Sequence, residues 1–238
     1  VWFAYKEEEW ILKDVSFSIP KGKKIALVGA SGSGKTTTVS LLCGFYPVLK
    51  GRILIDGVPL SELEFRAWRR KIGLILQDIF LFPGSILENV RVYNDAIPGE
   101  KVKEAINIVQ LDEFIQAQNL GLDSELAERG QNISQGEKQL ISFARALAFE
   151  AEIIVMDEAT ASIDPQTEAK IQRSMRTVFA DKTAVVVAHR LTSVLDADEI
   201  LLFRDGEIIH RGTHTQLMAD SSEYRKLVEL QMLAGEGA

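Results

Sequence analysis

A glycine-rich stretch near the start of the chain has the residue types and spacing of a phosphate-binding loop. Residues 29–36 read Gly-Ala-Ser-Gly-Ser-Gly-Lys-Thr, follow the apolar run of residues 25–28 and lead into a helical pattern over residues 37–42. Gly32 and Gly34 let the backbone turn where a Cβ would clash, so that successive N–H groups and a helix N-terminus can face one polyphosphate. The strand in front of the loop favours this interpretation over a glycine-rich turn that binds nothing.

The last residues of this stretch add a positive charge and a metal ligand. Lys35 is predicted to reach the β- and γ-phosphates of the ligand, and the Thr36 hydroxyl is predicted to bind Mg²⁺. The residues expected to hold the polyphosphate are Gly29, Ser31, Gly32, Ser33, Gly34, Lys35, Thr36 and Thr37.

Two further polar clusters each follow an apolar strand: Asp157-Glu158 and His189-Arg190. The carboxyl ends of the strands of a doubly wound sheet share one edge, so we expect both clusters to meet the glycine loop in one crevice. Asp157 is suited to hold Mg²⁺ through its water shell opposite Thr36. Glu158 can orient and deprotonate an attacking water. The alternative is a pair of acids that merely end a strand in solvent.

Composition and charge limit the classes of function. The chain has 238 residues, of which 46% are hydrophobic, enough for a proper core. A net charge of -7 argues against a nucleic-acid surface. The longest apolar runs fall far short of the roughly 18 residues of a membrane span. The single cysteine, Cys43, is expected in the core of a protein from a reducing, cytosolic setting, and three histidines with one cysteine form no metal-binding cluster.

The order of the patterns indicates one α/β domain with a mostly parallel sheet. We predict a β subdomain and phosphate-binding core over residues 1–77 and 151–212, an inserted helical subdomain over residues 78–150, and C-terminal helices over residues 213–238. The chain opens at Val1, inside strand-like sequence, which is compatible with a piece of a longer polypeptide.

Period-two alternation adds one more strand to the first part of the chain. Val15, Phe17 and Ile19 are apolar and alternate with polar residues, which predicts a half-buried strand there. The pair Asp205-Gly206 predicts a tight hairpin turn between two late strands.

Six motifs in a fixed order make the chain resemble the nucleotide-binding domain of an ATP-binding cassette transporter over nearly its whole length. The resemblance implies a P-loop NTPase core with an N-terminal antiparallel β subdomain, and ATP with Mg²⁺ as ligands. The motifs are the loop of residues 29–36, Gln77, Asn132-Ile133-Ser134-Gln135-Gly136-Glu137, Ile154-Val155-Met156-Asp157-Glu158-Ala159-Thr160, Ser162-Ile163-Asp164 and His189.

Three residues take a functional role from this resemblance. It implies that Gln77 touches Mg²⁺ or water, that His189 bonds the γ-phosphate, and that Tyr5 stacks on adenine. From the residues alone, Gln77 would be a surface glutamine and His189 is more often a loop residue than a catalyst. The residues alone do not separate adenine stacking by Tyr5 from a strand aromatic in an edge packing site.

The run that begins at Ser134 resembles the family's signature motif. The resemblance implies that Ser134 and Gly136 face the ATP of a second nucleotide-binding domain in a head-to-tail dimer, and that Asp164 contacts that partner. From the residues alone, Asp164 is an N-cap followed by proline at the first helical position, and it can have both roles. Gln135 and Glu137 depart from the commonest form of the motif, Leu-Ser-Gly-Gly-Gln. The same residues fit a capping box, in which Glu137 reaches back to the Ser134 N–H, and both roles can hold together.

Two segments resemble the exporter branch of the family: residues 81–90 and residues 128–130. The resemblance implies a surface that receives helices of a transmembrane domain. Four consecutive apolar residues, which we expect to be exposed, support such a docking face, although they can also pack under the helical subdomain. They are Ile79, Phe80, Leu81 and Phe82.

These inferences predict an ATP-hydrolysing motor domain at the cytoplasmic face of the cell membrane. Its expected partners are a second nucleotide-binding domain, identical or different, and a transmembrane domain; nucleic acid is not expected. The alternatives are a regulatory half that binds ATP and hydrolyses little, or a soluble, non-transport ATPase of the same superfamily.

Overall fold

A computed structural model describes residues 1–6, 9–76, 78–118, 120–126, 133–157, 165–188 and 191–235. The chain divides into two compact units. The first unit comprises Val1–Arg69, Val155–Glu158 and Thr183–Ala238, and the second comprises Arg70–Ile154 and Ala159–Lys182.

The first unit holds most of the strands and the helix that follows the glycine loop. Its strands are β1 (Phe3–Ala4), β2 (Trp10–Leu12), β3 (Lys24–Gly29), β4 (Leu54–Ile55), β5 (Val58–Pro59), β10 (Thr183–Val187), β11 (Glu199–Arg204) and β12 (Glu207–Gly212). Its helices are α1 (Lys35–Leu42), a 3₁₀ turn (Leu60–Glu62), α2 (Phe65–Arg70, whose last residue is in the second unit), α8 (Leu191–Leu195), α9 (His214–Asp220) and α10 (Ser222–Gly235).

The second unit is mainly helical. Its helices are α3 (Ile86–Arg91), α4 (Gly99–Ile108), α5 (Asp112–Ala117), α6 (Gln135–Ala148) and α7 (Pro165–Phe179). Its strands are β6 (Ile72–Ile75), β7 (Gly84–Ser85), β8 (Glu125–Leu126) and the start of β9 (Ile153–Asp157), which ends in the first unit.

The central sheet is mostly parallel, as the sequence predicts. Its strands follow the order β12-β11-β3-β10-β9-β6, and β3 pairs in parallel with both β10 and β11. Residues 25–28 of β3 are at most 1% exposed. A strand covered on both faces reads as a continuous apolar run, which is the pattern of this segment.

Two tight turns join antiparallel strands in the first unit. Asp205 and Gly206, at φ 50° and 85°, turn β11 into β12, and Asp56 and Gly57, at φ 49° and 85°, turn β4 into β5. Positive φ at both central residues is the conformation that Asp-Gly pairs favour in two-residue hairpins. The separate antiparallel pairs and the parallel sheet confirm the predicted fold class.

The prediction of a strand through Val15, Phe17 and Ile19 is wrong. Residues 15–20 have no regular secondary structure, although Val15 is buried, Phe17 and Ile19 are half-buried, and the serines between them are exposed. An extended chain that packs on one side gives the same alternation as a strand. A strand also needs a second backbone about 4.8 Å away and in register, which local spacing does not encode.

Helix α6 is the centre of the second unit. It packs on α3, α4, α7 and β6. The predicted apolar side is buried at Leu140, Ile141, Ala144 and Ala148, whereas Leu147 is half-buried. Phe143 on another side is also fully buried, because a helix with neighbours around it buries more than one stripe. In the part of the chain that the structure describes, no helix is long and apolar enough to span a bilayer.

The two hairpin glycines provide a matched test of packing in the first unit. Both have φ 85°, but a Cβ on Gly206 would lie well inside 3.0 Å of the Ile11 carbonyl oxygen, and a Cβ on Gly57 would meet no atom within 4 Å. Gly57→Ala is expected to lower the free energy of unfolding by roughly 1 kcal/mol through backbone strain. Gly206→Ala should cost roughly 1–3 kcal/mol more through overlap. Urea denaturation measures both; equal losses would contradict this packing.

Candidate functional site

The glycine loop lies between β3 and α1, and its backbone depends on three glycines. Gly29, Gly32 and Gly34 have φ of 145°, 78° and 104°. A Cβ on Gly29 would overlap the carbonyl oxygen of Phe203 on β11, whereas a Cβ on Gly32 would meet no atom within 4 Å. At Gly32 the requirement is therefore conformational, and the space above it is open to a ligand.

The turn that joins β11 to β12 supports this loop from outside it. The Gly206 N–H donates to the Ser33 carbonyl oxygen at 3.2 Å, and the Lys13 N–H donates to the Gly206 carbonyl oxygen at 2.8 Å. At the start of α1, the Thr38 N–H and hydroxyl both donate to the Gly34 carbonyl oxygen, at 2.9 and 3.0 Å. The sequence predicts the turn at Gly206 but gives no sign that it supports the loop.

The Lys35 ammonium lies inside the loop. Its Nζ donates to the carbonyl oxygens of Gly29 and Ala30, both at 2.8 Å, and to Ser33 Oγ at 3.4 Å. Lys35 is 5% exposed. Burial lowers the pKa of Lys35, and the Asp157 carboxylate opposes this shift. The loop therefore concentrates a positive charge beneath the exposed backbone of Ser31 and Gly32, an arrangement suited to a phosphate group.

Thr36 and Asp157 form a pair of oxygen ligands beside the loop. The Thr36 hydroxyl donates to Asp157 Oδ2 at 2.9 Å. Asp157, at the carboxyl end of β9, is 8% exposed, while Thr36 is exposed. The described part of the chain contains no cluster of three or more His, Cys, Asp or Glu that could hold a metal ion. One hydroxyl and one carboxylate fit Mg²⁺, which keeps several waters and shares its other positions with substrate phosphates.

Tyr5 lies next to the start of α1. Its hydroxyl donates to Thr37 Oγ1 at 3.3 Å, and about half of the residue is exposed. The ring packs against Phe3 and Tyr46. Tyr5 thus packs against neighbouring rings, as the packing interpretation expects, and it is also exposed enough to offer an aromatic surface to a nucleobase.

Four of the predicted site residues, Gln77, Glu158, Asp164 and His189, lie outside the described residues. Their roles remain predictions. The exporter-like residues 128–130 are also outside the described part of the chain.

The predicted capping box at Ser134 is confirmed. The Glu137 N–H donates to Ser134 Oγ at 3.3 Å, and Glu137 Oε2 accepts from the Ser134 N–H at 2.8 Å. Ser134 is exposed and Gly136 is buried. Because the Ser134 oxygen is the acceptor in this box, its hydroxyl proton stays available to another group.

The apolar segment of residues 79–82 is only partly exposed. Phe80 is 54% exposed, Ile79 and Phe82 are half-buried, and Leu81 is fully buried. The expectation that Leu81 is exposed is therefore wrong, because its side chain packs in the core of the second unit. An exposed aromatic surface remains at Phe80, whose ring lies 5.1 Å from that of Phe82.

A half-buried arginine that the sequence analysis missed anchors this segment to α6. Arg145 donates from Nε to the Asn89 carbonyl oxygen at 2.8 Å, from one terminal nitrogen to Asn89 Oδ1 at 3.1 Å, and from the other to the Phe80 carbonyl oxygen at 3.0 Å. Burial lowers the pKa of Arg145 to about 10.

Asn89 completes the anchor. It is fully buried, accepts from the Phe82 N–H at 2.9 Å, and donates to the carbonyl oxygens of Phe82 and Ser85 at 2.9 and 3.0 Å. A planar guanidinium and a planar amide thus hold the backbone of the segment on α6. The sequence contains one local signal for this anchor. It is an arginine in the last turn of a helix, and this arginine has no carboxylate at helical spacing.

Replacing Arg145 by lysine tests whether the forked geometry matters. A lysine ammonium cannot occupy the positions of all three guanidinium donors, so Arg145→Lys should lower the free energy of unfolding by roughly 2–4 kcal/mol. Arg176→Lys, at an exposed position of α7, should change it by less than about 0.5 kcal/mol. Equal effects of the two substitutions in urea denaturation would contradict the anchor.

The chain is similar to proteins of one family. A family model described as ABC transporter matches residues 12–161. The "Uncharacterized ABC transporter ATP-binding protein YknV" of Bacillus subtilis (strain 168) is 46% identical over 96% of this chain and 38% of its own length. The "Probable multidrug resistance ABC transporter ATP-binding/permease protein YheH" of the same organism is 43% identical over 96% of this chain and 34% of its own length.

A solved structure agrees with these relatives. The structure of a bacterial Atm1-family ABC exporter with ATP bound matches 97% of this chain and 40% of its own, with a TM-score of 0.89 and 35% identity. The chain thus spans less than half the length of the relatives it matches. Together with the loop, the sheet and the Thr36–Asp157 pair, these matches show that the chain belongs to the ABC transporter family.

Proposed function

We propose that this domain binds ATP with Mg²⁺ and hydrolyses it. The observation that carries the proposal is the Lys35 ammonium, buried inside a glycine loop and 5% exposed, beside an oxygen pair formed by Thr36 and Asp157. A buried cation, the backbone amides of a glycine loop and hard oxygen ligands on one edge of a parallel sheet are the elements that bind a nucleoside triphosphate.

Each described residue has a separate task in this site. The loop amides and Lys35 would hold the phosphates in place, the lysine by exchanging a carbonyl oxygen for a phosphate oxygen. Thr36 and Asp157 would hold Mg²⁺ directly and through its water shell. When bound, Mg²⁺ neutralises charge on the phosphate oxygens. Tyr5, tied to Thr37, would place an aromatic surface for adenine.

Hydrolysis is assigned to residues outside the described part of the chain. We infer that Glu158, which follows Asp157 in the sequence, orients the attacking water and accepts its proton. His189 would donate a hydrogen bond to the γ-phosphate as charge develops, and Gln77 would contact Mg²⁺ or the water. These three roles come from the order of motifs that the chain shares with its family.

A second nucleotide-binding domain would complete the site. Ser134, with its proton free of the capping box, and the N-terminus of α6 suit contact with the phosphates held by a partner copy. Glu137 is bonded to the Ser134 N–H, so its carboxylate is turned toward its own helix end rather than outward. This reduces the repulsion that an acid in the signature would otherwise cause. Gly136 and Asp164 are the other residues proposed at this contact.

A transmembrane domain is the other proposed partner. The relative YheH has a name that joins an ATP-binding part to a permease part, and this chain covers 34% of it. Phe80 offers an exposed aromatic surface on a segment that Arg145 anchors to the signature helix. We infer that the domain acts at the cytoplasmic face of the cell membrane and couples dimer closure and ATP hydrolysis to export.

One sequence feature favours a second candidate function, an ATP-binding half with weak hydrolysis. Gln135 and Glu137 depart from the common signature, and a signature serves the nucleotide held by the partner. Mixing copies with a defective glycine loop and copies with a defective signature separates the two functions. A pair completed only by this signature should still turn over ATP if the domain is a full motor.

Nucleotide uptake tests the site directly. Lys35→Ala should weaken Mg·ATP binding by at least about tenfold, because a charge-assisted hydrogen bond to phosphate is lost. Lys21→Ala, at an exposed lysine of the same unit, should bind as the unmodified chain does. Titration calorimetry measures both. Failure of the unmodified, folded chain to take up Mg·ATP would reject the proposed function.

The rate of ATP hydrolysis tests the role of Glu158 as general base. Glu158→Gln should keep Mg·ATP affinity but reduce the hydrolysis rate by roughly 10²- to 10⁴-fold, and should elute as a dimer in gel filtration with ATP. Glu207→Gln, at an exposed position of β12, should hydrolyse ATP at the normal rate. A normal rate in Glu158→Gln would remove Glu158 from the mechanism.

A further inference from the structure

Three aromatic rings of the first unit form one cluster beside the glycine loop. The rings of Phe3 and Tyr5 lie 4.9 Å apart at 88°, those of Tyr5 and Tyr46 lie 5.1 Å apart at 83°, and those of Phe3 and Tyr46 lie 5.8 Å apart at 53°. Near-perpendicular rings at these distances attract each other through their quadrupoles. Phe3 and Tyr46 therefore each restrain the plane of the Tyr5 ring.

The cluster consists of one buried residue and two exposed ones. Phe3 is 3% exposed, whereas Tyr5 is 51% and Tyr46 is 44% exposed. Two large aromatic residues at the surface next to a charged loop offer a platform for a planar ligand. They are also held by a buried ring beneath them rather than free to rotate.

Tyr5 has a second restraint that ties it to the loop. Its hydroxyl donates to Thr37 Oγ1, and Thr37 is the third residue of the helix whose first residue is Lys35. The bond fixes one end of the Tyr5 ring relative to the buried ammonium. The remaining freedom of the ring is rotation about its long axis, which its aromatic neighbours restrict.

Tyr46 reaches Tyr5 because of how α1 ends. Gly44, at φ 66°, donates its N–H to the Leu41 carbonyl oxygen at 3.0 Å, and the Phe45 N–H donates to the Ser40 carbonyl oxygen at 3.0 Å. These two bonds are the Schellman pattern of helix termination, which reverses the chain direction. A turn of this kind places Tyr46 on β1 instead of continuing along the helix.

Two contacts on either side hold the Tyr46 segment in place. Arg69 donates to the Gly44 carbonyl oxygen at 2.7 Å. Further along, Trp2 and Lys50 exchange backbone hydrogen bonds of 2.9 and 3.3 Å. The segment between these contacts is therefore attached to α2 at one end and to the residue before β1 at the other.

We propose that Tyr46 is a positioning residue of the base subsite, which fixes the plane of the Tyr5 ring so that a nucleobase can stack on it. The inference rests on the proposed function, that the glycine loop takes the phosphates of a nucleoside triphosphate. Tyr46 acts through Tyr5. Its ring, not its hydroxyl, supplies the restraint.

Comparing two ligands separates the contribution of the nucleobase to binding from that of the phosphates. Mg·ATP has both, and magnesium tripolyphosphate has only the phosphates. Tyr46→Leu should weaken ATP binding by roughly 2- to 10-fold, the size of an aromatic pair interaction, and leave tripolyphosphate binding unchanged. Tyr46→Phe keeps the ring and should bind ATP within about twofold of the unmodified chain. Titration calorimetry on the full chain measures all affinities.

A double-mutant cycle tests whether Tyr46 acts through Tyr5. Tyr5→Ala should weaken ATP binding, and adding Tyr46→Leu to it should weaken binding no further, because the ring to be positioned is gone. Additive losses, or an equal loss for ATP and tripolyphosphate, would overturn the proposal. So would unchanged ATP affinity in Tyr46→Leu. An unmodified chain that binds neither ligand would instead reject the proposed function.

Discussion

The buried ammonium of Lys35 is the interaction on which the rest of the site depends. A lysine in a protein interior needs acceptors for three donors, and the loop supplies two carbonyl oxygens and a hydroxyl. The loop that supplies them has positive φ at positions 29, 32 and 34, which explains glycine at each of these positions. The charge, the turn and the start of α1 thus meet at one residue, Lys35.

Distant parts of the chain make this loop possible. Strand β11 brings a backbone carbonyl against Gly29, the turn at Gly206 bonds Ser33, and β9 ends at Asp157 beside Thr36. All three contacts need β11, β3, β10 and β9 to lie in that order in the sheet. The parallel arrangement therefore does more than bury apolar strands, since it places a carboxylate and a supporting turn at the same edge.

Local patterns predict local structure well in this chain. The glycine loop, the capping box at Ser134 and the Asp205-Gly206 turn each depend on residues close together in sequence, and all three are found in the structure. Segments whose state depends on distant neighbours were not predictable. Val15 to Ile19 alternate like a strand without forming one, Leu81 packs inward, and the Arg145–Asn89 anchor joins residues 56 positions apart. Spacing along a chain carries no record of such pairings.

The Arg145 anchor also has a consequence for the conditions under which the domain works. Every described hydrogen-bond acceptor of this guanidinium is a neutral oxygen, and burial accounts for its lowered pKa. Mild acid finds no carboxylate to protonate among these hydrogen-bond acceptors, and dissolved ions screen partly buried contacts less than exposed ones. The attachment of residues 80–89 to α6 should therefore tolerate both acidification and high ionic strength. Both conditions weaken the surface ion pairs elsewhere on the molecule.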